Sequence, residues 1–271
     1  MLTLFTVPKA LVGSTADIQA RAVESWKALG PDVEVVLVGD DEGVADLAAR
    51  ANVGHVGEVA RGSSGTPRVD AAFARIASVA RYGLLCYTNA DVLLGRDLIE
   101  AIVRVRSFAE RFLLVGQTRD VDPSLLDCDA AEWRRIALEH GCPRGEAALD
   151  WFVFPRAHLD PIPPFVVGRA GWDNWLVWRA RQRGPVIDAT DAVVAIHQAH
   201  DYGHVGGGKE SAYYGPEAMS NLKLAGGSRY IYTLHDASHK LDPDLRIRRN
   251  PGATFRAGET LRKVKWKLGI R

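Results

Sequence analysis

The sequence predicts an α/β fold in which a mainly parallel central sheet is flanked by helices on both faces. Three observations predict it. Short apolar runs alternate with helix-spaced apolar segments through the first half of the chain, the pattern of a parallel sheet with crossover helices. The run Val33 to Gly39, VEVVLVG, is apolar at successive positions, as a strand buried on both faces requires. The chain has 271 residues, enough to bury a substantial core.

The elements follow in order. Leu2 to Val7 is a short apolar run and reads as the first strand. It lacks the basic flank and the apolar length of a secretory leader. Asp17 to Leu29 carries Ile18, Ala22, Trp26 and Leu29 at helical spacing and stops at Gly30-Pro31. After the strand at Val33, Glu42 to Ala51 reads as a helix and His55-Val56 as a short strand. Val69 to Ala80 is helical, Leu84 to Thr88 a strand, Leu98 to Arg106 a helix and Phe112 to Gly116 a strand. The second half is less regular. Glu132 to Glu139 and Trp172 to Arg183 read as helices, and Trp151 to Phe154, Val186-Ile187 and Val193 to Ile196 as strands. A proline-rich loop, PIPPF, spans Pro161 to Phe165, and Gln198 to Gly208 is a loop rich in glycine and histidine.

Composition excludes several classes. The formal net charge of +1 offers no electrostatic footprint for nucleic acid. No run approaches the roughly 20 apolar residues that span a bilayer. The three cysteines, Cys86, Cys128 and Cys142, are odd in number and lack a CxxC spacing. That favours a reduced, cytoplasmic setting. Residues 257–271 carry Arg262, Lys263, Lys265, Lys267 and Arg271, with Leu261, Val264 and Leu268 at helical spacing. Such a basic C-terminal helix, within 251–271, either packs on the domain or makes peripheral contact with an anionic inner membrane face.

Three segments carry chemistry. In LLCYTNADVLL an apolar strand runs into Asn89 and Asp91. Ligands of open parallel sheets bind outside the carboxyl ends of the strands. Two oxygen donors two residues apart share one side of an extended segment and suit Mg²⁺ or Mn²⁺. The alternative is an Asx-turn that closes the strand. In GRAGWDNWLVWRAR, Asp173 sits at the first turn of a helix. It either caps that helix or faces a cleft as a general base. In AIHQAHDYGH, His197, His200 and His204 accompany Asp201. One histidine, His197 or His200, is expected to complete the metal shell. Zinc held by all three is the less favoured reading, because no cysteine accompanies them. Asp40 and Asp41 end a central strand, where a carboxylate can meet a base or ribose. Arg61 and Arg68 flank a Gly/Ser loop suited to a diphosphate.

Taken in order, ESWKALGPDVEVVLVGDDEG, ARYGLLCYTNADVLL, DWFVFPR, GRAGWDNWLVWRAR, VVAIHQAHDYGH and YTLHDASHKL resemble glycosyltransferases of the GT-A fold. The resemblance is to poorly characterised, family-2-like enzymes of bacteria and plants, from about Leu4 to Arg249. It implies one GT-A-type, Rossmann-like domain over 1–271. About 1–116 would be the nucleotide-sugar half and about 117–250 the acceptor half. It implies a nucleotide-diphosphate sugar donor, Mn²⁺ or Mg²⁺, and a saccharide or other hydroxyl acceptor. Asn89-Ala90-Asp91 matches the family's DxD metal motif, with Asn replacing the first Asp. Asp173 fits the slot of the inverting base, Asp40 or Asp41 the carboxylate near the nucleobase, and His197 or His200 the late metal histidine. Two other readings compete: a non-catalytic nucleotide-sugar binder, and a metal-dependent hydrolase built on His197, His200, His204 and Asp201.

Overall fold

The computed structural model describes residues 1–200 and 208–251. The first half runs β1 (Leu2–Thr6), α1 (Ser14–Lys27), β2 (Val33–Val38), α2 (Val44–Ala51), β3 (Gly54–Val56), α3 (Val69–Val79), β4 (Leu84–Thr88), β5 (Val92–Leu93), α4 (Asp97–Arg106) and β6 (Leu113–Val115). Next come β7 (Thr118–Val121), α5 (Ala130–His140), β8 (Cys142–Pro143), β9 (Trp151–Pro155), α6 (Trp172–Arg181) and β10 (Val186–Asp188). The last elements are β11 (Ala195–Gln198), α7 (Gly208–Tyr214), α8 (Pro216–Leu224), β12 (His239–Leu241) and β13 (Ile247–Arg249).

A nine-stranded sheet has the order β13-β12-β10-β6-β9-β4-β1-β2-β3. Its neighbours are parallel except β13 on β12, and β9, which runs antiparallel to both β4 and β6. Side chains alternate between two cores, as the period of two requires. Leu2, Leu4, Val35, Leu37, Leu84 and Cys86 face one core, together with α1, α2 and α4. Phe5, Val36, Val38, Leu85 and Tyr87 face the other, together with α3 and α6. The two-faced apolar runs thus bury the central strands between layers of helices. Each fully buried Leu or Val contributes about 1.5–3 kcal/mol.

A smaller sheet, β5-β11-β7-β8, lies apart from the first. The strand expected at Val193 to Ile196 is shifted to Ala195–Gln198, because its partners are β7 and β5. The loop expected over Gln198 to Gly208 is bounded by strand at Gln198 and helix at Gly208. The basic helix expected within 251–271 lies outside the described residues from 252 onward, as do Asp201 and His204. The cysteines are all free: Cys86 is buried, Cys128 and Cys142 are exposed. Among the described residues no helix is long and apolar enough to cross a membrane.

Candidate functional site

A cleft of about 1060 Å³ opens where β1, β2 and β4 end. Asp41, Arg61, Asn89, Asp91, Asp173, His197 and His200 all line it; Asp40 and Arg68 do not.

Asp91 lies in the turn between β4 and β5. Val92 N donates to Asn89 O at 3.2 Å, and Gln198 N donates to Asp91 O at 3.1 Å. The antiparallel register of β5 on β11 pairs Val92 with His197, so the histidine strand is carried up to the turn. Asp91 Oδ2 is 2.9 Å from His200 Nε2, 3.9 Å from His197 Nε2 and 3.7 Å from Lys9 Nζ. Ligand atoms of Asp91, His197 and His200 lie within 4.8 Å of one another. Asp91 Oδ1 is buried and has no hydrogen-bond partner among the described residues. An unpaired buried carboxylate oxygen is costly, and a bound cation would satisfy it. Burial raises the Asp91 pKa, but the His200 hydrogen bond and the charges of His197 and Lys9 outweigh it and hold the carboxyl well below the usual range.

His197 is oriented from behind. The parallel register of β11 on β7 sets His197 beside Asp120, and His197 Nδ1 is 2.7 Å from Asp120 Oδ1. With a cation bound, a proton kept at Nδ1 would leave the Nε2 lone pair for the metal, the usual arrangement behind a metal-binding histidine. The residues present therefore fit a divalent cation.

Asn89 behaves differently from the expectation. The chain turns at 89–92 instead of staying extended, so the two-residue spacing does not align Asn89 with Asp91. Asn89 Oδ1 accepts from the Tyr87 hydroxyl at 3.2 Å, and Nδ2 donates to Asp150 Oδ1 at 2.9 Å. Asp150 Oδ2 in turn accepts from Thr118 Oγ1 at 2.6 Å and from Arg144 at 3.0 Å. Arg144 Nε also stands 3.6 Å from Asp120, so one guanidinium links the carboxylates behind His197 and Asn89.

Asp173 occupies the first turn of α6, one residue inside Trp172, while Gly171 is the N-cap at φ +103°. The glycine makes that left-handed start possible. Asp173 Oδ1 accepts from Asn174 N at 2.9 Å and more loosely from Gly171 N at 3.3 Å. Burial pushes its pKa up to about 7, the backbone N–H of Asn174 opposes this, and the charge of Asp150 adds to the rise. The carboxyl remains partly open to the cleft. Trp172 packs edge-on against Tyr87, with ring centroids 5.1 Å apart. Trp151 and Trp175 are core residues.

Arg61 lies between Asp40 and Asp41, 3.0 Å from the latter, and also donates to Gly65 O at 2.7 Å. Its hydrogen bond holds Asp40 below the ordinary carboxylate range. The guanidinium therefore closes the Gly/Ser loop onto the end of β2. Arg68 is paired with Asp70 at the start of α3, away from the cleft lining.

The sequence reading missed Lys9, Tyr87, Asp120, Arg144 and Asp150. Asp150 left a faint signal, since it directly precedes the apolar run of β9. Only the antiparallel insertion of that strand, with Trp151 opposite Thr88, brings its first end to the carboxyl end of β4.

A mainly parallel sheet with the antiparallel strand β9 inserted between β4 and β6, and a cleft at its carboxyl edge, is the GT-A class of fold, and the solved structures agree. S. aureus TarS 1–349 in complex with UDP-GlcNAc aligns at TM-score 0.55 and 13% identity, covering 83% of this chain and 65% of that one. Glucosyl-3-phosphoglycerate synthase from Mycobacterium tuberculosis, in complex with Mn²⁺, UDP and phosphoglyceric acid, aligns at TM-score 0.51 and 13% identity, covering 84% and 79%. The chain thus spans about two thirds of the TarS fragment's length. A scan against protein-family models and a search of curated proteins find no match.

Proposed function

We propose that the protein is a metal-assisted glycosyltransferase that moves a sugar from a nucleotide-diphosphate donor to an acceptor hydroxyl with inversion. The observation that carries this is the pairing, in one cleft, of Asp91 with its unpartnered oxygen beside His197 and His200, and Asp173 with its pKa near neutrality. Asp91, His197 and His200 would hold the cation. Bound Mn²⁺ or Mg²⁺ would supply positive charge opposite the diphosphate leaving group. Asp41 and Arg61 bound the end of the cleft suited to the nucleoside, and Lys9 adds a cation beside Asp91.

Asp173 then takes the proton from the acceptor hydroxyl. The acceptor oxygen attacks the anomeric carbon as the bond to the diphosphate oxygen breaks, so the configuration inverts. A base whose pKa lies near the working pH suits this transfer.

A melting-shift screen of nucleotide sugars, with and without Mn²⁺, tests donor binding, and NMR of the product tests the anomer. Asp91→Ala is expected to abolish the Mn²⁺-dependent shift and donor turnover. Asp173→Asn is expected to keep the shift and to lose about 10²–10⁴-fold in transfer rate. Normal transfer by Asp173→Asn, or a product of retained configuration, removes Asp173 from this role.

A further inference from the structure

We infer that the acceptor carries an apolar group, an alkyl chain or an aromatic ring, next to the part that bears its reacting hydroxyl. The inference rests on the glycosyl-transfer reading and specifies its second substrate. The wall beside Asp173 is built by α8 and the segment after it. A methyl group built on Gly171 would stand 3.7 Å from Ile231 Cδ1 and 4.0 Å from Leu222 N. Leu222 and Ile231 therefore stand next to the start of α6, and both line the cleft.

The wall continues outward through Tyr213, Tyr214 and Met219, which line the same cleft. They are 37%, 64% and 52% exposed. Among the described residues ten large apolar side chains are exposed, and Val12, Tyr213, Tyr214 and Met219 of these line the cleft. Apolar side chains gathered at the mouth of a catalytic cleft mark a surface that a ligand covers.

The charged groups on this wall are engaged with the protein itself. Arg169 pairs with Glu217 at 2.7 Å, and Glu217 also accepts from the Ser64 hydroxyl. Arg229 stacks on the Tyr230 ring, 4.6 Å from its centroid. Asn174 spends its amide on the carbonyl oxygens of Tyr232 and Ala147. An acceptor with an apolar body leaves these pairings intact and withdraws the exposed tyrosine and methionine surface from water.

The test is titration calorimetry of the full chain with methyl, phenyl and octyl β-glucoside, the last kept below its micelle concentration. Octyl or phenyl β-glucoside is expected to bind about tenfold or more tightly than the methyl compound; which of the two wins distinguishes an alkyl from an aryl body. The double variant Tyr214→Ser, Met219→Ser should erase that preference at an unchanged melting temperature, since both side chains are exposed. Equal affinity for all three glucosides, or a preference that survives in the variant, overturns the inference. Donor turnover is measured separately. A chain that turns over a nucleotide sugar without the preference keeps the glycosyl-transfer reading and loses this one. A chain with the preference but without turnover keeps an apolar-ligand cleft and loses glycosyl transfer.

Discussion

Asp173→Asn should make the protein more stable at alkaline pH while removing the proposed transfer activity. Asparagine retains the oxygen that accepts from Asn174 N and Gly171 N and removes the charge. In the folded chain the Asp173 carboxyl is pushed up from its ordinary 3.8 to about 7 by burial, and then by Asp150. The folded state therefore holds a proton that the unfolded chain releases. Wild-type stability at this site is highest below about pH 4, falls as pH rises toward 7, and is flat above that. At 1.36 kcal/mol per pH unit the full loss is about 4 kcal/mol. Contact with cleft water reduces it, so about 2–4 kcal/mol is expected. For a chain of this size that is roughly 4–16 °C in melting temperature. Urea or thermal unfolding of both proteins, metal-free, at about pH 4 and about pH 8 measures the difference. The variant's advantage should be near zero at the acid end and fully developed at the alkaline end. A constant advantage at both pH values, or one that shrinks as pH rises, refutes a buried carboxyl with a raised pKa.

Other outcomes follow from the same geometry. Kinetic profiles of the wild type should show the proposed transfer rising with pH through an inflection near 7, as Asp173, the proposed base, ionises; a rate independent of pH between about 5 and 9 contradicts that assignment. Asp120→Ala frees His197 Nδ1 and should weaken Mn²⁺ binding about 10–100-fold by calorimetry, with the fold intact by circular dichroism. Arg144→Met leaves the buried Asp150 without its ion-pair partner and should cost about 3–5 kcal/mol in urea unfolding. Adding Asp150→Asn should recover most of that loss, and no recovery would mean that the pair is not what the arginine stabilises.

The site was legible only where chemistry lies close to a strand or helix end. Asp91 and Asp173 were readable because each follows an apolar or glycine signal that marks a chain reversal. Asn89 and Asp91 were expected on one side of an extended segment, but the chain already turns past Thr88, so strand alternation does not reach that far. Arg61 and Arg68 were both expected near a diphosphate, yet nearby aspartates in Asp40, Asp41 and Asp70 claim their guanidinium groups.

By itself the sequence determined which strands are apolar on both faces, which helices have one buried side, and hence a layered α/β fold. These properties are local: they follow from the period of apolar residues over five to fifteen positions. The tertiary structure alone decided that β9 enters antiparallel between β4 and β6, placing Asp150 beside Asn89, and that β11 pairs with β7 so that Asp120 orients His197. Those pairings join residues 61 and 77 positions apart. Their register is chosen by packing of whole sheets and helices, and no short window of sequence contains both partners.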